Sequence, residues 1–171
     1  FWWRRAHTRT IEWKDGTVVT IDQTLLPQKV TFLKLRTCQD VASAIKNMKI
    51  RGAPLIGVAA AYGLALTAFH SQTRTRRELI KQIEESAELL RKTRPTGVNL
   101  FWAVDRILKK LRGTSGSSVK SVVDAVVMEA QKMADEDVQI NRKIGEQGSK
   151  LIRNGDRVLT HCNAGSLATV D

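Results

Sequence analysis

Apolar residues near the start of the chain follow the spacing of β-strands. Ile11 and Trp13 alternate with polar residues, and residues 18–21 form a second run of β-branched residues. The pair Asp15-Gly16 between them is a strong hairpin signal when β-forming residues flank it. Residues 30–35 form another short extended run. This part of the chain therefore predicts a small β portion that contains a hairpin.

The pattern then changes to helical spacing, with start signals of the kind that begin helices. Thr37 is placed to cap the first helix, Pro54 lies in the first turn of the second, and Thr75 with Glu78 forms a capping box for the third. The predicted helices cover about 38–48, 55–70, 75–92, 95–111 (ended by a Gly113–Gly116 turn) and 118–153, with an interruption near Gly145 and Gly148 left open. The second helix is apolar nearly all round and should be buried.

The end of the chain predicts the start of another domain. Residues 154–156 form a turn, and residues 157–161 are a short apolar run typical of a parallel strand. Small residues follow, and residues 166–169 begin to resemble a helix, which gives the first unit of a doubly wound fold. The prediction is a two-domain α/β protein. Residues 1–153 form a mostly helical domain with a small sheet, and residues 154–171 begin a truncated Rossmann-like domain.

The first candidate site is Arg51-Gly52-Ala53-Pro54, immediately before the buried helix. Unpaired N–H groups at a helix start favour an anion, the two small residues permit close approach, and the guanidinium adds charge-assisted hydrogen bonds. A tight loop into a core helix, with Arg51 merely solvated, explains the same residues equally well.

The second candidate has the same design. Arg94 precedes Pro95, and Asn99 lies about one turn inside the predicted helix. The alternative is ordinary helix capping by Thr93 or Thr96. Two such arginine-bearing helix starts could converge on one anion.

The third candidate follows the predicted parallel strand, where ligands bind in open α/β sheets. Cys162 could act as a nucleophile or an acid–base group, Asn163 could donate to a substrate oxygen, and Ala164 and Gly165 are small. A lone cysteine is more often a small buried hydrophobic residue, and Cys38 is interpreted in that way.

The composition and net charge of the chain limit the kinds of function that it can have. The net charge of +11 permits nucleic-acid binding. However, the basic residues lie along helical segments without interleaved aromatic residues, so solvated helix faces and anion sites are favoured. No apolar run approaches the roughly 20 residues of a membrane span, and Phe1–Arg5 does not resemble a secretory signal. Two widely separated cysteines and three scattered histidines indicate no metal site and favour a cytoplasmic location.

Four stretches closely resemble the signatures of methylthioribose-1-phosphate isomerases. They are RTIEWKDG (9–16), KIRGAPLIGVAAAYGLAL (49–66), RPTGVNLFWAVDRI (94–107) and GDRVLTHCNAGSLAT (155–169). The wider superfamily includes ribose-1,5-bisphosphate isomerases and the regulatory subunits of the translation initiation exchange factor. The segment Cys162–Gly165 and Asn99 resemble the methylthioribose branch more than the other two.

The resemblance implies an aldose–ketose isomerase of methionine salvage that acts on 5-methylthioribose 1-phosphate as a homodimer, without metal or organic cofactor. Cys162 matches the catalytic cysteine, whereas Arg51, Gly52, Ala53 and Arg94 match the phosphate-binding positions. The second catalytic group of the family, an aspartate, has no match here, because Asp171 lies too early in the pattern. We therefore expect this chain alone to be inactive.

Overall fold

The computed structural model describes residues 9–115 and 118–171, so Phe1–Arg5 and Gly116 lie outside the described residues. The described chain is mostly helical and has one small antiparallel sheet. Its strands and helices are β1 (Ile11–Lys14), β2 (Thr17–Ile21), β3 (Phe32–Leu35), α1 (Cys38–Lys46), α2 (Ala53–His70), α3 (Arg76–Arg91), α4 (Val98–Gly113) and α5 (Val119–Gly148). Single 3₁₀ turns cover Gln23–Leu25 and Ser166–Ala168.

The sheet has the order β1-β2-β3, and both pairings are antiparallel. The predicted hairpin is confirmed, since Lys14 pairs with Thr17 across the turn. Asp15 has a φ of 45° and Gly16 a φ of 75°, the positive values that a two-residue hairpin turn requires at both positions. The predicted third run is confirmed as β3.

Helix α2 is the centre of the fold, and the other four helices pack against it. It is buried along nearly its whole length, as its apolar composition predicts, and Pro54 lies in its first turn. By length and mean hydropathy, 18 residues and 1.4, it could cross a membrane, but 72% of it is buried within the protein. A buried core helix passes the same test, so this is weak evidence for a membrane span.

Two predicted helix caps are confirmed, since the side chains of Thr37 and Thr75 each accept a hydrogen bond from a backbone N–H in the first turn of the following helix. Ser118, predicted as the first residue of the fifth helix, caps α5 in the same way. Each such cap typically contributes about 1 kcal/mol to stability. The helix starts were therefore predictable where a side chain performs the capping.

Two predicted helix boundaries are wrong. Helix α4 begins at Val98 instead of Pro95, because residues 94–97 form a turn in which the Gly97 N–H donates to the Arg94 carbonyl at 2.9 Å. Its N-cap is Gly97, so neither Thr93 nor Thr96 caps it. Helix α5 runs without interruption through Gly145 and ends at Gly148, short of the predicted end at Arg153.

The strand predicted at residues 157–161 is not formed in the described chain. These residues are exposed, and the side chain of Leu159 is 97% exposed. A strand needs a neighbouring strand to satisfy its backbone, and the described sheet lies at β1–β3. The chain then returns to the core, where Val170 is fully buried and its carbonyl accepts from the Thr10 N–H at 2.8 Å.

Candidate functional site

The starts of α2 and α4 lie side by side. A β-carbon added to Gly57 would lie 3.0 Å from the backbone oxygen of Asn99, so the missing side chain permits this close approach. Both helices therefore place the positive end of their dipole at the same end of the helical layer. In α4, however, the Val98 and Leu100 N–H groups already donate to the carbonyls of Thr96 and Gly97.

A cleft of about 380 Å³ opens at this end and brings together residues from all three candidate segments. Arg51, Gly52 and Ala53 line it from the first segment, Arg94 and Asn99 from the second, and Cys162 and Asn163 from the third. Ala164 and Gly165 are exposed and do not line this cleft. The structure therefore joins six of the eight candidate residues in one cavity: Arg51, Gly52, Ala53, Arg94, Cys162 and Asn163.

Arg51 lines the cleft, and not all of its N–H donors have hydrogen-bond partners in the described chain. Its Nη2 donates to the Gln23 carbonyl at 3.4 Å, but its Nε is buried and has no hydrogen-bond partner among the described residues. A buried donor without a partner typically costs about 1–3 kcal/mol. Guanidinium binds oxyanions through paired N–H groups, so an arginine at the wall of this cleft is suited to hold an anion.

Arg94 approaches the cleft from the opposite loop. Its Nη1 donates to the thioether sulfur of Met48 at 2.9 Å. Met48 itself lines the cleft and has a φ of 60°, which is unusual for a residue with a side chain. Thioether sulfur is a weak acceptor, so this contact orients Arg94 without competing strongly with a phosphate oxygen.

Cys162 differs from Cys38 in every respect that bears on reactivity. Cys162 is exposed, lines the cleft and has a φ of 63°. Cys38 is only 2% exposed, and burial raises the pKa of its thiol to about 11. The structural role expected for Cys38 fits this burial.

Gln23 is not a residue that the sequence predicts for the site, although it joins the Arg51 loop to the segment that follows Cys162. Its amide nitrogen donates to the Leu167 carbonyl at 2.7 Å and to the Arg51 carbonyl at 3.3 Å. Neighbouring Asp22 pairs with Lys49 at 3.5 Å. Burial alone would raise the pKa of Asp22, but hydrogen bonds from Thr24 and the charge of Lys49 lower it below its ordinary value. The sequence does not predict the contacts of Gln23, because this residue lies outside any segment with helical or strand periodicity.

Comparisons with known proteins identify the family of the chain. Residues 49–170 match the model of the initiation factor 2 subunit family, and the chain belongs to this family.

Individual proteins that the chain resembles carry more specific names. The chain is 46% identical over 165 residues to methylthioribose-1-phosphate isomerase 2 of Pseudothermotoga lettingae. The aligned region covers 95% of this chain and 46% of that protein. The crystal structure of 5-methylthioribose 1-phosphate isomerase from Pyrococcus horikoshii has a TM-score of 0.89 and 47% identity, covering 95% of this chain and 45% of that one.

A second solved structure carries the other name used in this family. The delta subunit of translation initiation factor eIF-2B from A. fulgidus gives a TM-score of 0.85 at 45% identity, covering 95% of this chain and 47% of that one. The chain thus spans about half the length of the relatives that it matches.

Proposed function

We propose that this chain forms part of an aldose–ketose isomerase that converts 5-methylthioribose 1-phosphate into 5-methylthioribulose 1-phosphate in methionine salvage. The observation that carries the proposal is the cleft lined together by Arg51, Arg94 and Cys162. The names of the relatives from Pseudothermotoga lettingae and Pyrococcus horikoshii support the same substrate.

In this proposal the phosphate lies between the two arginine loops. Arg51 and Arg94 each supply a guanidinium at the cleft wall, and the starts of α2 and α4 add partial positive charge. Gly52 and Ala53 keep the backbone accessible to the phosphate oxygens. These residues provide binding and orientation for the sugar.

Cys162 is the proposed acid–base group. Phosphate on the anomeric oxygen prevents spontaneous ring opening, so the ring must be opened by proton transfer before hydrogen moves from carbon 2 to carbon 1. A thiol at the cleft wall can exchange a proton with the sugar, and Asn163 beside it can donate to a sugar oxygen. The family resemblance adds an aspartate as the second group, and we place it in the additional length that the relatives have.

A regulatory subunit of the translation initiation exchange factor is the second candidate, favoured by the name of the A. fulgidus relative. Such a protein needs no thiol in the cleft, so Cys162 and Asn163 favour the enzyme. A ribose-1,5-bisphosphate isomerase would use the same phosphate grip and differ at the far end of the sugar.

We also propose that residues 154–171 begin a Rossmann-like domain within a longer polypeptide, and that this polypeptide is a cytoplasmic homodimer. The strand-like pattern at residues 157–161 and the roughly twofold length of the relatives support this arrangement. A sheet partner from the additional length would supply the hydrogen bonds that residues 157–161 lack here.

The test is an isomerase assay on a polypeptide that contains this chain and has the length of its relatives. Conversion of 5-methylthioribose 1-phosphate is followed by ³¹P NMR. Cys162→Ser should lower kcat by about 10²-fold or more, and Arg51→Met should mainly raise KM. Cys38→Ala, which changes the buried thiol, is the matched control and should leave kcat unchanged. A wild-type polypeptide without turnover, or full turnover in Cys162→Ser, would refute the proposal.

A further inference from the structure

Gln23 occupies an unusual place for an amide side chain. It is only 2% exposed, although it lies in the short connection between the hairpin and β3. Its backbone N–H donates to the Lys49 carbonyl at 3.0 Å, which fixes this connection against the loop that precedes α2. The side chain is thereby aimed between that loop and the end of the chain.

The hydrogen bonds of Gln23 join the Arg51 loop to the segment that follows Cys162. Its side-chain Nε2 donates to the carbonyls of Leu167 and Arg51, and its backbone carbonyl accepts from Arg51 Nη2. Arg51 is therefore held at both its backbone and its guanidinium. Leu167 lies five residues beyond Cys162, in the turn that returns the chain to the core.

The other hydrogen bonds that anchor this returning segment lead elsewhere. Thr10 donates through Oγ1 to the Ser166 carbonyl at 2.7 Å, and Asp137 accepts from the Val170 N–H at 2.9 Å. These contacts fasten the segment to the start of β1 and to α5. Among the hydrogen bonds of the described chain, those of Gln23 link it to the arginine loop.

We propose that the side chain of Gln23 is a positioning group, which holds the backbone of Arg51 and the segment that follows Cys162 in one fixed arrangement. The proposal rests on the function proposed above, because it gives that arrangement the task of gripping a phosphate beside the thiol. Without the amide, the carbonyls of Arg51 and Leu167 lose a buried donor, and the packing of Ala168 against Gly52 is left to join the two segments.

The experiment uses the 171-residue chain and inorganic phosphate as the probe. Calorimetry gives the Kd for phosphate, and the rate of iodoacetamide labelling at Cys162 is measured with and without phosphate. Gln23→Met keeps the size of the side chain but cannot donate. Thr67→Val is the matched control, since its hydroxyl bonds that of Ser86 at 2.8 Å, away from the cleft. Arg51→Met marks the complete loss of the anion grip.

We expect wild type and Thr67→Val to bind phosphate equally and to show phosphate protection of Cys162. Gln23→Met should bind about tenfold more weakly and lose that protection while remaining folded. Should Gln23→Met unfold, Gln23→Asn, whose amide is one methylene shorter and cannot span both carbonyls, replaces it with the same expectation.

The outcomes separate the two proposals. Wild-type affinity and protection in the folded Gln23 variant would overturn the positioning role and leave the proposed function standing, and so would an equal loss in Thr67→Val. If wild type binds no phosphate, or binds it as well with Arg51→Met, the anion site itself is refuted, and the role of Gln23 with it.

Discussion

Ala168 packs against Gly52 so closely that the glycine has no room for a side chain. A β-carbon on Gly52 would lie 2.4 Å from Ala168 Cα and 2.6 Å from its carbonyl oxygen. Gly52 also has a φ of 104°, a conformation that residues with side chains rarely adopt. This contact seats the segment that follows Cys162 on the loop that carries Arg51, so Gly52 has a packing role in addition to the anion approach predicted from the sequence.

Gly52→Ala should therefore destabilise the fold by about 3 kcal/mol, since it adds both backbone strain and overpacking. Urea unfolding measures the difference. Gly145→Ala is the control, because Gly145 lies within α5 and a β-carbon added there would have no neighbouring atom within 4 Å in the described chain. It should leave stability unchanged or raise it by up to about 1 kcal/mol. Equal stability of Gly52→Ala and wild type would contradict the close contact.

The two thiols should differ sharply in alkylation. At pH 8 the folded chain should take up iodoacetamide at exposed Cys162, whereas Cys38 is buried and keeps its proton because its pKa is about 11. Mass spectrometry of the labelled peptides measures both rates in one sample. In urea both cysteines should react, which serves as the control. Labelling of Cys38 at a comparable rate in the folded protein would contradict its burial in the structure.

The ion pair between Arg106 and Glu136 should make stability depend on pH. Arg106 donates to Glu136 at 2.5 and 3.1 Å, and these hydrogen bonds lower the pKa of the carboxyl below its ordinary value of 4.5. The carboxylate form is therefore favoured by folding. Its stabilisation is present above pH 4.5 and is lost as the pH falls through the lowered pKa.

Glu136→Gln should accordingly lose up to about 1 kcal/mol at pH 7, a modest value because both side chains are partly exposed. The difference from wild type should vanish in urea unfolding near pH 2. Glu85→Gln is the control, since the pair of Glu85 with Lys81 is far more exposed and should contribute less. A difference that persists unchanged at low pH would exclude the ion pair as its cause.

The 171-residue chain alone should show no isomerase turnover, although it contains Cys162 and both arginines. A positioned acid–base group typically contributes about 10²–10⁴-fold, and the second group of the family has no match in this chain. The measurement is ³¹P NMR of 5-methylthioribose 1-phosphate incubated with the pure chain. Turnover that disappears in Cys162→Ser would show that these residues suffice.

The hairpin and most helices were predictable because their causes are local. Asp15-Gly16 fixes the turn between β1 and β2, and the caps Thr37 and Thr75 satisfy backbone groups only a few residues away. The predictions that failed concern features that the local residue pattern does not show. The start of α4 is set by the turn between Arg94 and Gly97 instead of by a side-chain cap, and residues 157–161 lack a strand partner in the described chain.

The sequence by itself determined the hairpin, the third strand, the presence of the five helices and the buried character of α2, and it predicted three segments suited to bind a phosphate or move a proton. Only the tertiary structure decided that Arg51, Arg94 and Cys162 line one cleft, that Gly57 lets two helix starts meet, and that Gln23 joins the Arg51 loop to the segment that follows Cys162. Local elements form through hydrogen bonds and side-chain periodicity between near neighbours in the chain. The cleft depends on packing between residues far apart in sequence, and no local pattern encodes which of them will meet.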